Sequence, residues 1–178
     1  MLTWWTATLV GGVALAVASH GPLPPAIQAA LFKKVFHYDE PLKNKTAAEL
    51  TVLVLPGRDE AAAAMLVQAF MGLGLSAQVT TGEAVAATLT KGTVVYFSEG
   101  SLSKKVQDAC VEKGVLTISG LGEYARRGDV SIAVGLEGKG GGKGGGKGRP
   151  QLIVHLPRLQ AERHALHGWV LGLAEVIK

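Results

Sequence analysis

A single cysteine, Cys110, stands among the 178 residues, so no disulfide can form within the chain. A domain of this size folds without one when, as here, 48% of its residues are apolar and can build a core. Cys110 lies in SLSKKVQDACVEKG, the pattern of an amphipathic helix, where a lone cysteine packs as a small hydrophobe. No cysteine quartet is available for zinc, and no cysteine–histidine pair of specific spacing for nucleophilic attack. G-x-S-x-G is missing too, and Ser98-Glu99-Gly100-Ser101 has no histidine close in sequence. The sequence therefore points to no catalytic residue, metal or cofactor.

Charge is equally sparse. Lysine plus arginine number 18 against 14 acidic residues, a net +4, and Lys139, Lys143, Lys147 and Arg149 account for those four charges. The rest of the chain is neutral. A basic face for nucleic acid would be spread over folded elements, so its concentration in one glycine-rich stretch argues against nucleic-acid binding. No charged side chain occurs in the first eighteen residues, MLTWWTATLVGGVALAVA, which end in a small-x-small pattern before Ser19. That is the form of an export signal, although the α-amino group is its only positive charge. We expect residues 1–18 to be a signal peptide, with an N-terminal membrane anchor or a buried helix as alternatives. Residues 19–178 are then one domain.

What is present is an alternation. AIQAALFKKVFHYD, entered through Pro24-Pro25, places Ile27, Leu31 and Val35 at four-residue steps beside Phe32 and Phe36, and predicts an amphipathic helix. TVLVLP is a short apolar strand of the kind buried on both faces of a parallel sheet. RDEAAAAMLVQAFMGLG follows as a helix with Asp59 and Glu60 at its start and Gly72 and Gly74 at its end. SAQVT, TVVYFS and VLTIS are further strands, separated by EAVAATLTKG and SLSKKVQDACVEKG as helices. The expected fold is α/β: a mostly parallel sheet covered by helices on both faces with right-handed crossovers. After Arg127 the pattern changes, because VSIAVGLE and QLIVHL have only glycine and lysine between them. They predict an antiparallel C-terminal edge hairpin with a flexible, solvated Gly/Lys loop at 138–148. PRLQAERHALHGWVLGLAEVIK, with Leu159, Leu166, Val170, Leu173 and Ile177 on one face, predicts a docking C-terminal helix that Gly168 and Gly172 can break in two.

Two glycine patterns imitate nucleotide sites. Gly141, Gly146 and Lys147 meet the phosphate-loop pattern except for its last hydroxyl, where Gly148 stands, but they join two strands instead of a strand to a helix. Gly120-Leu121-Gly122-Glu123-Tyr124-Ala125 reads G-x-G-x-x-A after a strand, yet its helix stops within a few residues at Arg126-Arg127-Gly128 and presents little dipole to a pyrophosphate. We read it as a turn that lets the backbone pass close to a neighbour. His164 and His167, three apart, have no third ligand of matching spacing and read as surface histidines, and His155 as a hydrogen-bonded strand residue. In a doubly wound sheet, small ligands gather at the carboxyl ends of the strands. Those ends carry Gly57, Arg58, Ser98, Glu99, Ser101, Ser119 and Gly120, the candidate ligand or partner residues, with Arg58 suited to an anion and ordinary helix capping as the alternative.

Taken together, ALFKKVFHYDEPLK, LTVLVLPGR, VVYFSEGS, VLTISGLGEYARRG, RPQLIVHLP and VLGLAEVI are similar to the corresponding stretches of the YfiR-like family of exported bacterial proteins, over about residues 27–177. The resemblance implies a compact α/β domain of the periplasm without known catalysis. It further implies a regulator that binds the periplasmic part of a membrane signalling protein such as a diguanylate cyclase. The family's disulfides cannot form with Cys110 alone, His155 replaces its usual asparagine, and the glycine–lysine segment lengthens a hairpin that is short in the family.

The expected function is accordingly that of a non-catalytic periplasmic regulatory or adaptor protein that works by protein–protein binding. A periplasmic small-molecule-binding domain and a structural subunit of an envelope assembly are the alternatives, and homo-oligomers are compatible with either.

Overall fold

The computed structural model describes residues 23–136 and 149–178. The signal or anchor at 1–18, the phosphate-loop-like glycines and the Gly/Lys loop at 138–148 lie outside the described residues.

Fourteen elements follow one another among those residues: α1 (Pro25–Tyr38), β1 (Thr51–Leu55), α2 (Glu60–Gly72), β2 (Ser76–Val79), α3 (Gly82–Thr88), β3 (Thr93–Phe97), α4 (Lys104–Lys113), β4 (Leu116–Ser119), α5 (Gly122–Arg126), β5 (Ile132–Leu136), β6 (Pro150–His155), α6 (Leu156–Ala161), α7 (Gly168–Leu171) and β7 (Glu175–Ile177). The strands form one sheet in the order β2-β1-β3-β4-β5-β6-β7. β1 to β5 are parallel neighbours, as the strand–helix alternation requires, and β5 and β6 pair antiparallel from Ile132↔Val154 to Leu136↔Pro150. The order 2-1-3-4-5 is that of doubly wound sheets, with its switch point between β1 and β3.

Alternation along the strands divides the core. Val52, Val54, Val94, Tyr96, Leu116 and Ile118 face one layer, with Phe32 and Phe36 of α1 and Leu66 and Phe70 of α2. Leu53, Leu55, Val95 and Phe97 face the other, with Val85 of α3, Val106 and Cys110 of α4, and Ala125 of α5. A strand such as TVLVL has no solvent side, hence its unbroken apolar run. Burial pushes the Cys110 thiol up to about 12, with the nearby Glu162 charge adding to the effect, so the residue packs as a neutral hydrophobe.

Local chemistry sets the element ends. The Asp59 carboxylate accepts from the Ala62 amide at 2.8 Å and opens α2, and Gly114 at φ 65° closes α4 in the left-handed conformation.

Three details differ from the sequence expectation. First, α1 is rotated: Phe32, Val35 and Phe36 are buried, whereas Ile27 is 41% exposed, because the two phenylalanines fill more of the interlayer than the isoleucine ridge would. Second, the antiparallel pair is not the margin of the sheet, since β7 adds outside β6 in parallel, from Ile153↔Glu175 to His155↔Ile177. Third, the last segment docks as two short helices and that strand instead of as one helix. The chain leaves helical geometry after Ala161, where Glu162 turns into the interior and Arg163 takes φ 61°. Leu173, expected on the docked face, is 75% exposed.

Candidate functional site

The carboxyl ends of β1 and β3 flank the switch point, where a doubly wound sheet would open a ligand crevice. Here the two loops close on each other. Ser98 N–H donates to Leu55 O at 3.2 Å and Arg58 N–H donates to Glu99 O at 3.0 Å. Gly57 has φ 51°, and a Cβ there would sit 2.0 Å from Glu99 O, so only glycine lets the loops meet. Ser101 Oγ donates back to Ser98 O at 2.9 Å, and Gly100 N–H donates to the Tyr124 hydroxyl at 3.0 Å. The Arg58 side chain lies beside Gly100, where a Cβ would fall 3.1 Å from Arg58 Cγ.

Ser119 and Gly120, one strand over, are buried and committed. Ser119 Oγ donates to Phe97 O at 2.8 Å and accepts from Leu121 N–H at 3.1 Å. Gly120 N–H donates to the Tyr96 hydroxyl at 3.0 Å, Tyr96 donates to Gln28 Oε1 at 2.7 Å, and Gln28 Nε2 donates to Leu23 O at 2.5 Å. Burial pushes the Tyr96 phenol well above its usual range, the Gly120 amide opposing this in part. The G-x-G-x-x-A glycines are packing residues, as expected: a Cβ at Gly120 would come within 2.2 Å of Gln28 Oε1, and one at Gly122 within 2.5 Å of Ile153 Cδ1. The amide that would face a phosphate is already spent on Tyr96. The structure thus brings Gly57, Arg58, Ser98, Glu99 and Ser101 together at one crevice and sets Ser119 and Gly120 in the wall beneath it. All but the Arg58, Ser98 and Glu99 side chains serve internal hydrogen bonds or close packing.

A second polar cluster sits at the opposite pole, unforeseen from sequence. Glu162 is fully buried and accepts from Thr117 N–H at 2.9 Å, Thr117 Oγ1 at 2.7 Å, Ser131 Oγ, and Arg158 Nε at 2.7 Å. The second guanidinium arm of Arg158 donates to Gln107 O at 2.9 Å. Nearby, His164 is not a surface residue: it is 4% exposed, its Nδ1 lies 2.7 Å from Asp39 Oδ2 and its Nε2 3.3 Å from Gly114 O. The end of the predicted helix at Ala161 carries His164 inward, while His167 stays exposed, so the two share no helix face. His155 is hydrogen-bonded, as expected, its Nδ1 accepting from Arg158 N–H at 3.1 Å to cap α6. Among the described residues no group of three or more histidine, cysteine or acidic side chains could hold a metal ion.

An open concave surface lies elsewhere. A trough of about 450 Å³ runs between α1, β6 and α7, lined among others by Leu31, Tyr38, Leu152, Trp169 and Leu173. Tyr38 and Trp169 meet edge to face with centroids 4.5 Å apart, and they are 38% and 48% exposed. Their approach is fixed by the strap that follows α6: Glu40 N–H donates to Ala165 O at 2.9 Å and His167 N–H to Tyr38 O at 3.1 Å. On the other face of the sheet Arg126 ties α5 to β7: its guanidinium donates to both Glu175 oxygens at 2.8 and 2.7 Å and to Glu123 at 2.7 Å. The Arg126 hydrogen bond holds the Glu175 carboxyl below its usual range against the opposing effect of burial. In sequence Leu173 was visible only as a member of a docked helix face, and Trp169 was not singled out.

No family model matches the chain, and no curated protein matches it. Among solved structures it is similar to a conserved domain protein of Vibrio cholerae, with a TM-score of 0.63 and 17% identity. It is also similar to an ABC domain of Streptococcus pneumoniae in complex with L-Trp, with a TM-score of 0.59 and 12% identity. Each match covers 87% of this chain and 60% of the other, so the chain spans less than two thirds of either neighbour. At such identities the likeness establishes the α/β fold, in agreement with the sheet described above.

Proposed function

We propose that the chain is a non-catalytic regulatory or adaptor domain of the cell envelope, exported or held at the membrane by its N-terminus, that acts by binding another protein through the α1 trough. In the terms of the YfiR-like resemblance, the partner is the periplasmic part of a membrane signalling protein such as a diguanylate cyclase. One observation carries this reading: Tyr38, Trp169 and Leu173, at 38, 48 and 75% exposure, gather around one concavity instead of being scattered singly. Exposed aromatic and aliphatic side chains around a groove are the anchors from which protein interfaces are built. A photo-cross-linker at position 173 should give a discrete adduct in envelope membranes. Unmodified chain should compete it away and the Leu173→Glu chain should not, while the same probe at Lys104, on the opposite layer, should give none. Equal labelling from both positions, or competition indifferent to Leu173→Glu, rejects the reading.

A second reading rests on volume. About 450 Å³ falls within the range of small-ligand pockets, and one structural neighbour was solved with L-Trp. Thermal-shift screening with aromatic amino acids tests it, because a ligand at a hundredfold its Kd adds about 2.7 kcal/mol. A flat response across the series removes it.

A further inference from the structure

The charge lining the trough narrows what can occupy it, given the protein-binding reading above, on which this inference rests. α1, PAIQAALFKKVFHY, contains Lys33, Lys34 and His37 and no carboxylate. A second concavity of about 390 Å³, lined by Ala30, Lys33, Lys34, His37, Tyr38 and Leu73, lies on the other flank of the helix. Lys34 and Tyr38 line both concavities and stand between them on the exposed face of α1. The carboxylates that follow the helix are turned away from it or neutralised: Asp39 is buried against His164, and Glu40 pairs with Lys43 at 2.6 Å. Lys33 donates to Leu73 O at 2.7 Å. Lys34 is exposed and makes no ion pair among the described residues. Arg149, exposed, precedes Pro150 on the trough wall. Among the described residues the trough is thus apolar at its floor, has Lys34 at its rim and carries no carboxylate in its lining.

We propose that the occupant is an acidic amphipathic helix of the partner protein, its apolar ridge seated between Tyr38, Trp169 and Leu173 and its carboxylates facing Lys34 and Arg149. Helix α1 has 14 residues, about 21 Å at 1.5 Å per residue, which offers a partner helix about four turns of contact. Apolar anchors at i, i+3, i+4 and i+7 suit such a groove. A bilayer surface is met by protruding side chains, whereas here the apolar atoms line a concavity, so the geometry favours a helix over a membrane.

Three probes decide it with the full chain: a fluorescent 18-residue helix with a leucine face and a glutamate face, its leucine–lysine counterpart, and 3:1 phosphatidylcholine–phosphatidylglycerol vesicles. The glutamate helix should bind saturably, more weakly as salt rises. The lysine helix should bind at least tenfold more weakly. Lys34→Glu should weaken the glutamate helix about tenfold and improve the lysine helix. Leu173→Glu should weaken both. Indifference to peptide charge or to Lys34→Glu overturns the proposal, as does binding to vesicles alone with the same variant dependence. If the cross-linked partner at position 173 is captured while the glutamate helix fails, the acidic helix is wrong and the protein-binding reading stands; loss of the specific adduct itself is what rejects that reading.

Discussion

The two ends of the sheet and the outer face of α1 treat polar and apolar groups in opposite ways. At the carboxyl ends, where a doubly wound sheet ordinarily opens a ligand site, the Tyr96–Gln28–Gly120 chain and the Gly57–Glu99 contact consume the polar groups in holding loops together. Glu162 does the same at the amino ends of β4 and β5, gathering Thr117, Ser131 and Arg158. Buried polar groups are costly unless fully paired, and these are paired with the protein itself. Around the trough between α1 and α7, by contrast, Tyr38, Trp169 and Leu173 are left in solvent beside Lys34, which makes no ion pair among the described residues. On the proposed reading, position relative to the sheet is a poor guide to where this domain meets other molecules, and the commitment of each group to internal partners is a better one.

The comparison breaks if a polar cluster at the sheet ends proves dispensable for folding. Glu162→Ala leaves Arg158 without its carboxylate and Thr117 and Ser131 without an acceptor, which should cost about 3–5 kcal/mol in urea unfolding. A loss below about 1 kcal/mol would mean that the cluster is held for some purpose other than stability. Next in size, Tyr96→Phe orphans the Gly120 amide and Gln28 Oε1, for a loss of about 1–3 kcal/mol with binding at the trough unchanged. Weakened binding at unchanged stability would place Tyr96 in a functional site.

A smaller effect is expected from acid. Glu175 has a lowered pKa in the folded chain because Arg126 favours its ionised form, so the pair's contribution is complete above the ordinary glutamate range and fades as pH falls through the lower, folded value. Both side chains are about a third exposed, which limits the stabilisation to about 1 kcal/mol or less. Arg126→Met should flatten this part of the stability–pH curve, and an unchanged curve would show that the β7 edge is held by backbone pairing alone. Smallest of all, Leu173→Ser should shift stability by less than about 0.5 kcal/mol, because its side chain is already in solvent. A larger loss would mean that Leu173 belongs to the core and that the trough is a packing surface.

Much of the fold was legible because its signals are local. Runs such as TVLVL and TVVYF could only be strands buried on both faces, Asp59 and Gly114 stood where helices had to begin and end, and the lack of a helix between β5 and β6 required an antiparallel pair. The C-terminal segment was misread because its spacing also suits a helix. Glu162 gains more by meeting Thr117, Ser131 and Arg158 than by completing a turn, and Glu175 pairs with Arg126, 49 residues away in sequence. Neither partner set is visible in a local window. For the same reason His164 looked like a surface residue, although Asp39 lies 125 positions earlier.

By itself, then, the sequence determined the alternating elements, the parallel core strands and the neutral, lone-cysteine character of the domain, all of which follow from periodicity, capping residues and composition. Tertiary structure alone decided that the strand ends are closed, that a seventh strand covers β6, and that Tyr38, Lys34, Trp169 and Leu173 line one open trough. Those outcomes depend on which distant groups satisfy one another once the chain is packed, and pairing at long range leaves no trace in a short stretch of residues.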